Sequence, residues 1–237
     1  EIGGLGFMSF TTLIAIILGK KITLRERLIL QDAMNTFNIQ GLVKMVKYVL
    51  VFTVSVQFFG ALLLSTQFIP EFGFGKGAFY SLFHSISAFC NAGFDVLGKG
   101  NSLISFNTNV VVIMVLSILI IIGGLGFTVW SELYTCKSIR RVSIHSKMVL
   151  LITTGLVVGG TLLMFLFEHN NPQTISKMSF INKLTNSFFA SVTPRTAGFN
   201  SISTSGMTTA GQFLTIILMF IGGSPGSTAG GIKTTTI

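Results

Sequence analysis

Charged residues are spread so unevenly along this chain that they leave long uncharged stretches at residues 2–19, 48–70, 100–131, 148–167 and 196–232. A helix needs about 20 predominantly apolar residues to cross a bilayer. Four of the stretches are long enough to cross once and residues 2–19 nearly so, and the pattern predicts an all-α membrane protein. Two shorter apolar segments lie between them, "AFYSLFHSISAF" at 78–89 and "FINKLTNSFFASV" at 180–192. As helices each would reach about 20 Å, short of the roughly 30 Å hydrocarbon core. A half-length helix followed by irregular, glycine-containing backbone is a re-entrant loop, tolerated at membrane depth only where protein or a water-filled cavity surrounds it.

The chain also repeats itself. "IGGLGF" stands at 2–7 and again at 122–127, with a diverged "IGGSPG" at 221–226, while "NAGFD" at 91–95 returns as "TAGFN" at 196–200. The two sets interleave, so the unit reads span, half-helix, exposed turn, span, which is the order of a pore lining. The predicted boundaries are 1–20 for the end of the last span of a first repeat and 21–47 for a connection. Repeat two follows at 48–134, a second connection at 135–147, and repeat three at 148–237, its last span broken. About two and a half units are present, and a closed ring needs more, so the expectation is an excerpt of a longer chain. Glu1 stands where a secretory signal would carry basic residues.

Composition agrees. Half the residues are hydrophobic and only 10% are charged, against about 25% charged in soluble domains. The net charge of +9 invites a nucleic-acid reading, but its distribution argues otherwise. Six basic residues, Lys20, Lys21, Arg25, Arg27, Lys44 and Lys47, fall in the first connection, and Lys137, Arg140, Arg141 and Lys147 fall in the second. Basic residues accumulate on the cytoplasmic side, so these connections face the cytoplasm and the charge reports topology. Cys90 and Cys136 then lie on opposite faces, which excludes a disulfide between them. No Cys/His set has metal-ligand spacing.

The glycine-rich stretch "GGSPGSTAGGIKT" at 222–234 suggests a phosphate loop. That motif needs G-x-x-x-x-G-K-[ST], with the lysine directly after the second glycine. Gly226 and Gly231 have the spacing, but Ile232 separates Gly231 from Lys233. A membrane NTPase or phosphotransferase using 226–234 would also need an acidic magnesium ligand and a soluble catalytic domain, for which these residues offer no candidate. A secondary transporter with broken helices normally places charges at the midplane, and 48–70, 100–131 and 148–167 hold none.

"SAFCNAGFD" and "SVTPRTAGFN" resemble the second and third selectivity-filter loops of the Trk/Ktr/HKT potassium transporters. "GGSPGSTAGGIKTTT" resembles the intramembrane loop of that superfamily's third repeat, its ending most like the membrane subunits of bacterial Ktr potassium uptake systems. The resemblance covers essentially the whole chain. It implies four span–pore-loop–span repeats around one pseudo-fourfold pore in the bacterial plasma membrane, with no enzyme activity. Carried over by position, potassium would meet backbone carbonyls of Asn91, Ala92 and Gly93 in one loop and Thr196, Ala197 and Gly198 in the next. Carbonyl oxygens replace an ion's hydration shell. One glycine per loop, where simple potassium channels use glycine-tyrosine-glycine, implies less strict discrimination and keeps sodium as a second ion. The resemblance further implies a gate at Gly222, Gly223, Ser224, Pro225, Gly226, Ser227, Thr228, Ala229, Gly230, Gly231 and Lys233. It implies a homodimer and a cytosolic RCK-type regulatory ring, a separate chain that would carry ATP or ADP. No cofactor is expected in this chain, and no nucleic acid.

Other residues carry competing readings. Asp95 is either a field source at the outer mouth or a solvated carboxylate. Arg195 would repel ions at an entrance, which favours hydrogen bonds to loop carbonyls. Gly3–Gly4 and Gly123–Gly124 suit close helix packing or a pore wall below the filter. His84 reads as a hydrogen-bonded core histidine, His145 as solvated, and Trp130 with Tyr134 as an interfacial belt. Residues 20–47 read equally as a surface amphipathic helix or as a docking surface for the ring. Lys233 either faces the cytoplasmic half of the pore or pairs with a carboxylate elsewhere.

Overall fold

A computed structural model of the chain describes residues 42–98, 102–135 and 142–236. The expectations for residues 1–41, including Gly3–Gly4 and most of the first basic connection, and for Cys136 fall outside the described residues. Among the described residues the regular structure is helical, apart from one isolated parallel bridge between Ile221 and Ile232. Helices satisfy their backbone groups internally, as an apolar surround requires.

Helix α1 (Leu42–Phe72) holds an apolar segment, Tyr48–Phe72, long enough to cross a membrane. It begins six residues before the predicted span, because helical hydrogen bonding continues into the basic connection where hydropathy falls. Gly73, at φ 80, closes it, donating to the Ile69 carbonyl at 2.9 Å, and α2 (Phe74–Phe89) starts at the next residue. At 16 residues α2 reaches about 24 Å, too short to cross. Asn109 caps α3 (Val110–Leu125): its side chain accepts from the Val112 N–H and donates to Gln67 of α1 at 2.9 Å.

The stretch 100–131, expected to cross once, is not one straight helix. α3 breaks at Gly126, where φ is 90, and continues as α4 (Phe127–Thr135) after a bend of 94°. Leu125 and Phe127 on either side are apolar, so hydropathy passes through the bend unchanged.

The second unit repeats this order. α5 (Ile144–Glu168) is the other helix long and apolar enough to cross, and Ser143 caps it. α6 (Phe180–Val192) has the predicted bounds of its half-helix. α7 (Thr209–Phe220) spans 12 residues, about 18 Å, before giving way to the glycine-rich segment. The two units share a core in which Leu64 and Phe68 of α1, Leu116 of α3, Phe189 of α6 and Phe199 are all buried. Asn186 of α6 donates to the Asn107 carbonyl at 2.7 Å, and the Leu103 N–H donates to the Asn200 carbonyl at 2.9 Å, joining the units by hydrogen bonds as well. His84 is buried against Phe68, with Nδ1 2.7 Å from the Tyr80 carbonyl. Phe58, Phe59, Leu151 and Leu162 point outward, where a membrane supplies the apolar surroundings a soluble protein would lack.

Glu168, which the sequence pattern did not single out, ties the second unit together at one end. Only 1% of its surface is exposed. Its carboxylate accepts from the Thr208 N–H and hydroxyl at 2.8 and 2.7 Å, from Thr174 at 2.7 Å and from Asn171 at 2.7 Å. Thr208 is also the N-cap of α7, so one carboxylate connects the end of α5, the following loop and the start of α7. Glu168→Ala would strand these donors and should cost about 2–4 kcal/mol. In the detergent-purified full-length protein the melting temperature should fall by several degrees; an unchanged value would show that the donors find other partners.

Candidate functional site

Both half-helices end in the same kind of turn. After α2 the chain runs Asn91, Ala92, Gly93, and after α6 it runs Thr196, Ala197, Gly198. In each triplet the outer two residues have positive φ, 49 and 70 in the first and 72 and 87 in the second, while the alanine does not. The left-handed region suits glycine, is tolerated by asparagine and is unusual for a β-branched residue such as Thr196. A hydroxyl at the end of each half-helix holds the turn: Ser87 donates to the Phe94 carbonyl at 2.8 Å, and Thr193 to the Phe199 carbonyl at 2.6 Å. The second turn is two residues longer between helix end and triplet, and its donor, Thr193, lies just beyond α6 rather than within the helix. Sequence reasoning missed Ser87 and Thr193; the available signal was a hydroxyl residue close to the end of each half-helix, before AGF.

The structure brings the two triplets together. A β-carbon on Gly93 would collide with the Ala197 carbonyl oxygen, and one on Gly198 would stand 3.8 Å from the Gly93 Cα. A cavity of about 500 Å³ lies alongside, lined in part by Ala92, Thr196, Ala197, Gly198, Met207 and Met219.

The glycine-rich segment lies against both turns and against the break in α3. The N–H groups of Thr228 and Ser224 donate to the carbonyls of Gly123 and Gly124 at 3.2 and 3.0 Å, and the Ser224 hydroxyl donates to that of Leu125. In return the Phe127 N–H donates to the Gly226 carbonyl at 2.9 Å. Thr228 also reaches the first turn, donating its hydroxyl to the Phe89 carbonyl at 2.9 Å and accepting from the Asn91 amide at 3.3 Å. A β-carbon on Gly123 would collide with the Phe89 carbonyl. Gly123 is therefore a close-packing position, at the meeting point of α3, the first turn and the segment.

The phosphate-loop reading fails on this geometry. A cradle needs N–H groups converging on an anion, whereas those of Gly222, Gly223, Ser224, Thr228 and Thr234 donate to protein carbonyls. Lys233 is partly exposed, and its Nζ donates to the Ala229 carbonyl at 2.8 Å, inside its own segment. Arg195 is buried, and its Nη2 donates to the Gly222 carbonyl at 3.4 Å. It does contact a loop carbonyl, but in the glycine-rich segment. No group of three or more His, Cys, Asp or Glu with metal-binding geometry occurs among the described residues.

Comparison with known proteins places this arrangement. The family model of TrkH, described as a cation transport protein, matches residues 1–237. The chain is 49% identical over 237 residues to the potassium/sodium uptake protein NtpJ of Enterococcus hirae, covering all of this chain and 52% of that protein. It is 43% identical over 236 residues to the Ktr system potassium uptake protein B of Bacillus subtilis, covering 100% of this chain and 53% of that one. The chain thus spans about half the length of the curated relatives it matches. In the crystal structure of the potassium transporter TrkH from Vibrio parahaemolyticus, 98% of this chain and 44% of that chain superpose with a TM-score of 0.67 at 19% identity, a likeness of fold. With a family match over its whole length, apolar helices able to span a membrane and the same fold, the chain belongs to the TrkH family of cation transport membrane proteins.

Proposed function

We propose that this chain contributes two neighbouring filter loops and a gating loop to a potassium-conducting pore in the cell membrane. The observation that carries the reading is the apposition of the two AGF turns, in which the Ala197 carbonyl occupies the place a Gly93 side chain would need. Positive φ on both sides of each alanine turns consecutive carbonyls away from the alternating directions of a strand, as a carbonyl-lined filter requires. Asn91, Ala92 and Gly93 with Thr196, Ala197 and Gly198 are the proposed carbonyl donors. The relatives' names supply the ion: one is a potassium/sodium uptake protein and another a potassium uptake protein of a Ktr system. Sodium is accordingly the second ion to test.

The segment from Gly222 through Gly231, with Lys233, is the proposed gate. It has no regular helix, and it is held by a small set of hydrogen bonds from individual groups, several to α3, two to the first turn and one to the second. Such contacts are individually worth only about 1 kcal/mol, which suits a segment that exchanges between two positions. A cytosolic ring of RCK-type nucleotide-binding subunits, sensing ATP or ADP, and a second copy of the membrane subunit complete the proposed assembly. The Ktr name of a relative supports a multicomponent system.

Gly198→Ser and Gly93→Ala in the full-length protein test the filter, by uptake into cells lacking their own potassium transport. Each should lower the preference for potassium over sodium by about fivefold to tenfold, equivalent to ~1–1.4 kcal/mol. Gly93→Ala should be the more damaging, because its β-carbon meets backbone. Unchanged preference in both would make these glycines packing positions only. Deleting residues 226–230 tests the gate: flux should rise severalfold and lose its dependence on the ring, whereas a folded but inactive protein would make the segment part of the pathway.

A further inference from the structure

The filter turn of repeat two is closed from within by Ser87 but is also held from outside, at Asn91. Asn91 holds a left-handed φ of 49, a conformation in which asparagine ordinarily stabilises itself by bonding to its own neighbouring backbone. Here its amide instead reaches across the fold to the Thr228 hydroxyl at 3.3 Å, and its Oδ1 is buried with no hydrogen-bond partner among the described residues. Thr228 is itself fixed at two other points: its hydroxyl donates to the Phe89 carbonyl at 2.9 Å and its N–H to the Gly123 carbonyl at 3.2 Å. A hydroxyl has one proton. Once that proton is committed to Phe89, the oxygen's lone pairs are left for the Asn91 amide. The turn of repeat three leans on the same segment, since the Thr196 methyl lies over Gly231 and Arg195 reaches Gly222. Only at Thr228, however, does a side-chain hydroxyl of the segment make the connection.

Building on the conduction reading above, we infer that Thr228 is a specificity-determining residue: from the gate it holds the repeat-two filter turn in its ion-discriminating geometry. A carbonyl filter discriminates through the positions and field of its oxygens. A turn whose left-handed Asn91 is held from outside loses part of that definition when the support leaves. Gate and filter are then one mechanical unit, and displacing the gating loop relaxes selectivity as well as opening the path.

The test compares wild type, Thr228→Val and Thr228→Ser in the full-length protein, with potassium and sodium uptake measured separately in cells lacking their own potassium transport. Valine preserves shape and removes the hydroxyl; serine keeps the hydroxyl. Thr228→Val should lower the preference for potassium over sodium by about fivefold to tenfold, the scale of one lost hydrogen bond, and Thr228→Ser should retain it. Higher flux through Thr228→Val at unchanged preference would overturn the inference and leave the segment a simple obstruction. A wild type that takes up no potassium would overturn the conduction reading itself and this inference with it, whereas potassium uptake without preference over sodium would overturn this inference alone. Should Thr228→Val fail to accumulate, Thr228→Ala removes the same hydroxyl without branching at the β-carbon. Thermal stabilisation of the purified protein by potassium relative to sodium then gives a readout independent of flux. Loss of that difference in Thr228→Ala but not in Thr228→Ser supports the inference, and an equal difference in all three proteins overturns it.

Discussion

When α3 bends by 94° at Gly126, the carbonyls at its end lose the N–H groups that a continuing helix would have supplied. In water such groups are solvated; inside a membrane protein they need protein partners. Those of Gly123, Gly124 and Leu125 receive Thr228, the Ser224 N–H and the Ser224 hydroxyl, and the first N–H of α4, at Phe127, finds the Gly226 carbonyl. The glycine-rich segment is thus the C-cap of α3 and a partner for the start of α4, supplied from another repeat. It cannot be regularly helical and also do this, because the N–H groups of Ser224 and Thr228 are committed to α3. The break and the segment are mutually necessary, and the two turns are built around their junction.

That junction explains how a weakly bonded segment sits so close to strained turns. Phe89, at the end of α2, offers its carbonyl to Thr228, and Gly123 leaves room for that carbonyl by having no side chain. Arg195 brings a buried cation to the same region and shares it with a backbone carbonyl dipole.

Much of this was legible in the sequence, because it is local or periodic. The half-helices are short apolar runs, and α6 has the bounds read from its residues. The turns announce themselves through AGF at matching places in successive units, and the TrkH fold follows from their order. What could not be read depends on contacts between distant residues. The bend at Gly126 is invisible to hydropathy because its neighbours are apolar. Thr228 is one of many small residues in a glycine-rich stretch, and its importance comes from Asn91, 137 positions away. The hydrogen bond from Lys233 to the Ala229 carbonyl, within its own segment, likewise had no signal in the sequence. Glu168 ends an apolar run, where a carboxylate resembles an ordinary boundary until its donors from the following loop and from the start of α7 are seen.

The Glu168 cluster bears on how α7 can move. Thr208, at the start of the helix, is held by two hydrogen bonds to the buried carboxylate, while Phe220, at the other end, passes directly into the glycine-rich segment. Hydrogen bonds hold this 12-residue helix at Thr208, whereas toward its other end it is held by apolar packing of Leu214 and Leu218, which makes Thr208 the natural fulcrum of any tilt. Swinging it carries Ile221 through the largest arc and leaves the anchored end almost still, so a rearrangement of the segment on one side of the membrane need not be transmitted to the other.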